Sequence, residues 1–128
     1  MTTEERLKKL ERKIEEMQTV IRTRALCILD DQGQDRVKVG MTEDGPRLFM
    51  LDENDRVLAV MAVNENGPRL SVNGGNGRPR AGLIVVNDRP KLLMGDENDK
   101  ARATMTVDEN GPRLGLNDEN GKPIWKAP

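Results

Sequence analysis

The chain has 128 residues and a net charge of −1, with 35% apolar and 34% charged residues, one Cys, one Trp, one Phe, and neither His nor Tyr. That apolar fraction, below the ~45–50% of ordinary globular domains, gives a monomer of this size only a thin core. Lack of His removes the usual proton shuttle and commonest metal ligand, one Cys excludes an internal disulfide framework, the balanced charge does not suggest a nucleic-acid binder, and no apolar run approaches the ~20 residues of a membrane-spanning helix.

Glu4 to Arg22 reads as a helix, with Thr3 as N-cap and Glu4 and Glu5 at its positive end. Leu7, Leu10, Ile14, Met17 and Ile21 follow one another at spacings of 3, 4, 3 and 4, the a/d seam of a coiled coil. The seam is narrow, whereas a surface helix packed on its own domain usually carries a wider apolar arc. Under three heptads is marginal alone, so the segment beyond it must help hold the chains together. The opening residues lack the apolar stretch of a signal peptide. Cys27, at the junction, has no His to form a catalytic pair and reads as a small apolar residue. Where three chains meet, their Cys27 residues either approach one another or point outward.

The remainder is a 22-residue repeat. Gly45-Pro46-Arg47-Leu48 returns as Gly67-Pro68-Arg69-Leu70, as Arg89-Pro90-Lys91-Leu92 and as Gly111-Pro112-Arg113-Leu114. The organisation expected is an oligomerisation helix, 1–22, and a β-repeat shaft, 23–128, with units 23–44, 45–66, 67–88, 89–110 and an incomplete 111–128. Apolar columns recur: Leu26, Leu48, Leu70, Leu92, Leu114; Ile28, Met50, Val72, Met94, Leu116; Val37, Ala59, Ala81, Ala103, Trp125; Val39, Met61, Leu83, Met105, Ala127; and Met41, Val63, Val85, Val107. Within each run the step is two, the period of a strand. Asn-Gly, Asp-Gly and Glu-Asn-Gly sequences mark the turns, and Pro lies where strands begin. Each unit therefore holds a strand, a turn, a longer strand and a second turn.

Acidic groups recur at equivalent turns, which is a requirement of fold, since catalysis needs one unique constellation. Asp30, Asp52, Asp96 and Asp118 read as turn caps through backbone N–H groups. Calcium is the rival use, but Asp-x-Asn-Asp is only part of a calcium loop and Gly74 replaces Asp in one unit. Asp55 and Asp99 stand where Gly33, Gly77 and Gly121 stand elsewhere, so those two turns are expected to differ in detail. The basic columns Arg47, Arg69, Lys91, Arg113 and Arg56, Arg78, Lys100, Lys122 read as cross-strand and interchain pairing, with polyanion binding as the rival. Phe49 packs against a neighbouring chain or, with Leu93, marks an exposed patch. Trp125 reads as a C-terminal cap over the last rung.

Two architectures fit: a single-chain β-solenoid with one unit per rung, and an intertwined β-prism shared by several chains. A parallel coiled coil feeding straight into exact repeats favours the prism, and small inward Ala and Val suit chains converging on an axis. The helical seam and the Gly-Pro-Arg-Leu and Asp-Glu-Asn-Gly/Asp repeats resemble the shafts of trimeric fibres of phage tails and bacterial surfaces. That resemblance implies a structural, non-enzymatic parallel homotrimer used for spacing, assembly or attachment in a virion or cell-surface fibre. The alternative is a repeat scaffold binding a protein or glycan. The oligomer core expected is Leu7, Leu10, Ile14, Met17 and Ile21 in the helix, with Leu48, Met50, Leu70, Val72, Leu92, Met94, Leu114 and Leu116 in the shaft. No catalytic residue, cofactor, metal, nucleic-acid partner or membrane insertion is expected.

Overall fold

The structure, a computed structural model, describes residues 1–128 and every side chain except that of Thr19. Helix α1 spans Thr3–Thr19, and its N-cap is Thr2, not Thr3. Thr2 Oγ1 accepts the Glu5 N–H at 3.2 Å while the Thr2 N–H donates to Glu5 Oε2 at 2.7 Å. This reciprocal capping box needs Glu or Gln three residues after the cap. Thr2 has Glu5 there, whereas Thr3 has Arg6, which cannot return the bond. The helix also ends early, with Val20 already extended at φ −145°, ψ 127°. Thr19, Val20 and Ile21 are consecutive β-branched residues of low helix propensity. Ile21 consequently lies outside the helix, and the helical seam has four members instead of five.

Ten strands follow: β1 Ala25–Leu29, β2 Asp35–Thr42, β3 Gly45–Leu51, β4 Val57–Asn64, β5 Gly67–Asn73, β6 Pro79–Val86, β7 Arg89–Gly95, β8 Ala101–Asp108, β9 Gly111–Asn117 and β10 Pro123–Ala127. Each pairs antiparallel with the next, giving one open, uncurled sheet in the order β1 to β10. Ladders run from unit to unit within one chain, as the solenoid alternative expects, but the sheet does not close into rungs around a core. Helix α1 packs on none of the strands.

Two kinds of turn alternate. Within a unit, the Asp30 N–H donates to the Gln34 carbonyl at 2.9 Å and the Gly33 N–H to the Asp30 carbonyl at 3.0 Å, and the same pair of bonds recurs at Asp52, Gly74, Asp96 and Asp118. This is a type I turn closed by a left-handed residue and a bulge. The left-handed position is Gly33, Gly77 or Gly121 at φ 77–82°, and Asp55 or Asp99 at φ 62° and 61°. The two Asp turns thus match the Gly turns, because Asp tolerates this region. After each turn the register shifts, leaving Arg36, Leu58, Arg80, Arg102 and Ile124 as the extra residue. Three of these form clamps to the next unit. Arg36 Nε donates to the Leu51 carbonyl at 3.1 Å, Arg80 Nη1 to that of Asp96 at 2.6 Å, and Arg102 Nε to that of Asn117 at 2.9 Å.

Asp caps hold these turns. Asp52 Oδ1 accepts the N–H groups of Asn54 and Arg56, both at 2.9 Å, and Asp30, Asp96 and Asp118 repeat the arrangement. The carboxyls of Asp30, Asp52 and Asp96 lie below the ordinary carboxylate range, chiefly because the N–H four residues on favours the charged form. A lowered folded pKa contributes stability that is present above the unfolded value, ~3.9, and lost as pH falls through the folded one. The thermal midpoint is therefore expected to fall as pH drops below ~4, and to fall less in a D30N/D52N/D96N chain, whose amide oxygens still accept. A wild-type midpoint that stays flat between neutral pH and pH 3 would refute the capping role.

Between units the turns carry two residues. Gly45, Gly67 and Gly111 follow them at φ 126°, 122° and 102°. Arg89 occupies this position in the fourth unit, and there Asn87 and Asp88 take the positive angles instead, φ 52° and 60°. Two consecutive positive φ values make a type I′ turn, which Asn and Asp accept.

Candidate interaction face

Residues paired across a sheet point to the same side. The register therefore places Leu26, Val39, Leu48, Met61, Leu70, Leu83, Leu92, Met105, Leu114 and Ala127 in one row across all ten strands. A second row, on the same side, runs Ile28, Val37, Met50, Ala59, Val72, Ala81, Met94, Ala103, Leu116 and Trp125. The other flank pairs Met41 with Pro46, Val63 with Pro68, Val85 with Pro90 and Val107 with Pro112. Every residue in these rows is apolar.

This face is uncovered. In the middle row, relative exposure runs from 41% at Val39 to 54% at Met61 among the residues of β2, β4 and β6, and is 44% at Leu70 and 36% at Leu114. Among the described residues, the buried apolar side chains are Leu51, Val60 and Ala62, all on the opposite side. The accessible surface is 10271 Å². A compact monomer of 14.3 kDa exposes about 6,800 Å² by the usual scaling, so this chain leaves roughly half as much again. The helix adds a second apolar surface: Leu7, Leu10, Ile14 and Met17 are 54–59% exposed.

The expected core residues Leu48, Met50, Leu70, Val72, Leu92, Met94, Leu114 and Leu116 all lie on this face, in two adjacent rows. Val39, Met61, Leu83 and Met105 belong with them, directly between the leucines of the middle row. Their columns are visible in the sequence, but only the register joins the two columns into one line. Trp125 pairs with Leu116 and lies in the second row, so it extends the face instead of folding over the end.

The other face is mixed: it holds the buried Leu51, Val60 and Ala62 and also a row of cations. One row reads Cys27, Lys38, Phe49, Val60, Ser71, Gly82, Leu93, Thr104, Gly115 and Lys126, and the next contains Arg47, Arg69, Lys91 and Arg113. Phe49 is on this face, half-buried, with the Arg47 guanidinium 5.9 Å from its ring centroid, so it is not part of the apolar rows. Leu93 also lies on this side, apart from the continuous apolar patch. Arg47 pairs with Asp44 at 2.8 Å, while Arg69, Lys91 and Arg113 have no ion pair among the described residues. Arg36, Arg56 and Arg102 pair with the turn carboxylates of Asp30, Asp52 and Asp96 at 2.9–3.4 Å. Cations thus lie in two places, along strand centres on one face and, at Arg56, Arg78, Lys100 and Lys122, beside the carboxylates of the turns. Cys27 is exposed, on the polar side.

Among the described residues no three His, Cys, Asp or Glu side chains gather as metal ligands, and no helix is long and apolar enough to cross a membrane. No protein-family model matches the chain, and no curated protein matches it. The bulge column Arg36, Leu58, Arg80, Arg102 and Ile124 was not anticipated from sequence. Its signal is the Asp-x-x-Gly spacing itself, since a type I turn with a left-handed fourth residue brings a bulge with it.

Proposed function

We propose that the chain is a non-catalytic repeat scaffold that works by burying its apolar sheet face against protein while presenting the basic face outward. The observation carrying this is the uninterrupted set of apolar rows, exposed across all ten strands. An apolar patch of this extent marks an interaction surface. A second reading, a trimeric fibre or spacer at a virion or cell surface, is favoured by the helix that stands clear of the sheet and exposes its own seam.

Methionines report on the cover. Met41, Met50, Met61, Met94 and Met105 lie on the apolar face, whereas Met1 is remote from it. In-cell oxidative footprinting is expected to find these five modified several-fold more slowly than Met1. Equal rates would mean an uncovered face and would sink the scaffold reading.

A further inference from the structure

We infer that what covers the apolar face is two further copies of this chain, with three such faces turned toward one threefold axis; this rests on the scaffold reading above. Surface area is the first support. The excess over a compact monomer is roughly 3,500 Å², within the ~2,000–5,000 Å² of obligate subunit interfaces and beyond what a transient contact would cover.

The shape of the face selects the number of copies. Its middle row is built of large side chains, such as Leu70, Leu83 and Leu92. One flank is mostly Val and Pro, as at Val63, Pro68 and Val85, and the other alternates Ala59, Ala81 and Ala103 with the larger Met50, Val72, Met94 and Leu116 and ends in Trp125. Two sheets stacked face to face keep a nearly even gap of ~10 Å, which asks for similar bulk across the width. Three flat faces around an axis leave most room opposite the middle of each face and least at the three corners. A centre of mostly Leu and Met, with one margin of Val and Pro and the other interrupted by Ala, has less bulk at its margins than at its middle and fits the three-sided case.

The helix supplies the third argument. It enters the sheet at β1, packs on no strand, and exposes Leu7, Leu10, Ile14 and Met17. A helix of 17 residues is marginal in isolation. Extending the same axis brings three seams together in parallel, so one symmetry operation covers both apolar surfaces of the chain. An unrelated partner would have to match each separately. In this arrangement the strands cross the axis, so the unpaired edges of β1 and β10 lie at the ends of a rod and its sides present no free edge. Cys27 and the Arg69, Lys91 and Arg113 side chains face outward.

Sedimentation equilibrium of the full chain at micromolar concentration is expected to give about three times 14.3 kDa. In a Cys27→Ser background, a Leu83→Cys thiol should resist a maleimide in the native protein and react only on unfolding, whereas the exposed Cys27 of the wild-type chain should react at once. A mass of one or two chains overturns the trimer, as does a Leu83→Cys thiol that reacts as fast as Cys27. Should Leu83→Cys fail to fold, the wild-type mass decides alone. A monomer whose sheet methionines are protected in cells means that another protein is the cover and the scaffold reading stands. A monomer with unprotected methionines removes both.

Discussion

A chain carrying Leu70→Asp is expected to lose its assembly and most of its cooperative unfolding, while Ser71→Asp, one residue away, leaves both unchanged. Leu70 lies in the middle apolar row and Ser71 on the opposite, basic face. In the assembled rod the new carboxylate at position 70 would be buried among Met61 and Leu83 with no donor in reach, and it would also remove a buried leucine. The leucine is worth ~1.5–3 kcal/mol, and an uncompensated buried charge costs ~3–5 kcal/mol, in each of three chains. That exceeds what a protein of ordinary stability tolerates. At position 71, which is part-buried beside Val60 on the opposite face, the carboxylate keeps access to solvent and lies near Arg69, so its cost is well below that at position 70. Sedimentation and thermal unfolding of the two variants, at equal chain concentration, check this. Equal behaviour of the pair would show that the two faces have the same environment, which the proposed packing forbids.

Gly67→Ala is expected to destabilise the sheet far more than Gly111→Ala, although both glycines occupy the same place in the repeat. Both have positive φ, 122° and 102°, where any side chain costs ~1–2 kcal/mol. They differ in what lies alongside. A Cβ on Gly67 would overlap the Val85 carbonyl oxygen of the adjoining strand β6, and one on Gly45 would overlap that of Val63 in β4. A Cβ on Gly111 meets nothing within 4 Å, because β10 ends before reaching it. The carbonyls belong to backbone held in the sheet and cannot swing away as a side chain would. Gly111→Ala should therefore cost only the backbone strain, and Gly67→Ala at least ~1–2 kcal/mol more. Thermal midpoints at one chain concentration would separate them by several degrees. Equal midpoints would show that the inter-unit turn has room the backbone does not provide.

The period, the strand character of the repeats and the identity of the apolar columns were all legible in the sequence, because turn chemistry and alternation are local properties. Asp30, Asp52, Asp96 and Asp118 cap their turns as read. What escaped depends on relations that local pattern does not encode. Thr2 and Thr3 are equally good caps by type, and only the reciprocal bond from Glu5 decides between them. Ile21 continues the heptad spacing, yet a run of β-branched residues ends the helix before it. Asp55 and Asp99 look like departures from the Gly turns but adopt the same left-handed conformation. Whether a repeating set of strands closes on itself or stays flat is set by bulges and twist summed over the sheet, so an open sheet was not foreseeable from any one unit. For the candidate face, the sequence named the leucines of the middle row. The register added Met61, Leu83 and Met105 between them and settled that Phe49 and Cys27 lie on the other side.

Because every strand pairs only with its neighbours in sequence, the chain is a ruler. Each 22-residue unit adds two strands, hence ~9.6 Å of length, without altering the cross-section or the turns on either side. Deleting or duplicating a whole unit, such as 67–88, joins equivalent residues and keeps the alternation of faces, whereas an insertion of one residue within a strand inverts every side chain up to the next turn. Length in such a molecule can be changed in fixed steps by unequal exchange between repeats, with no new core to invent at each step.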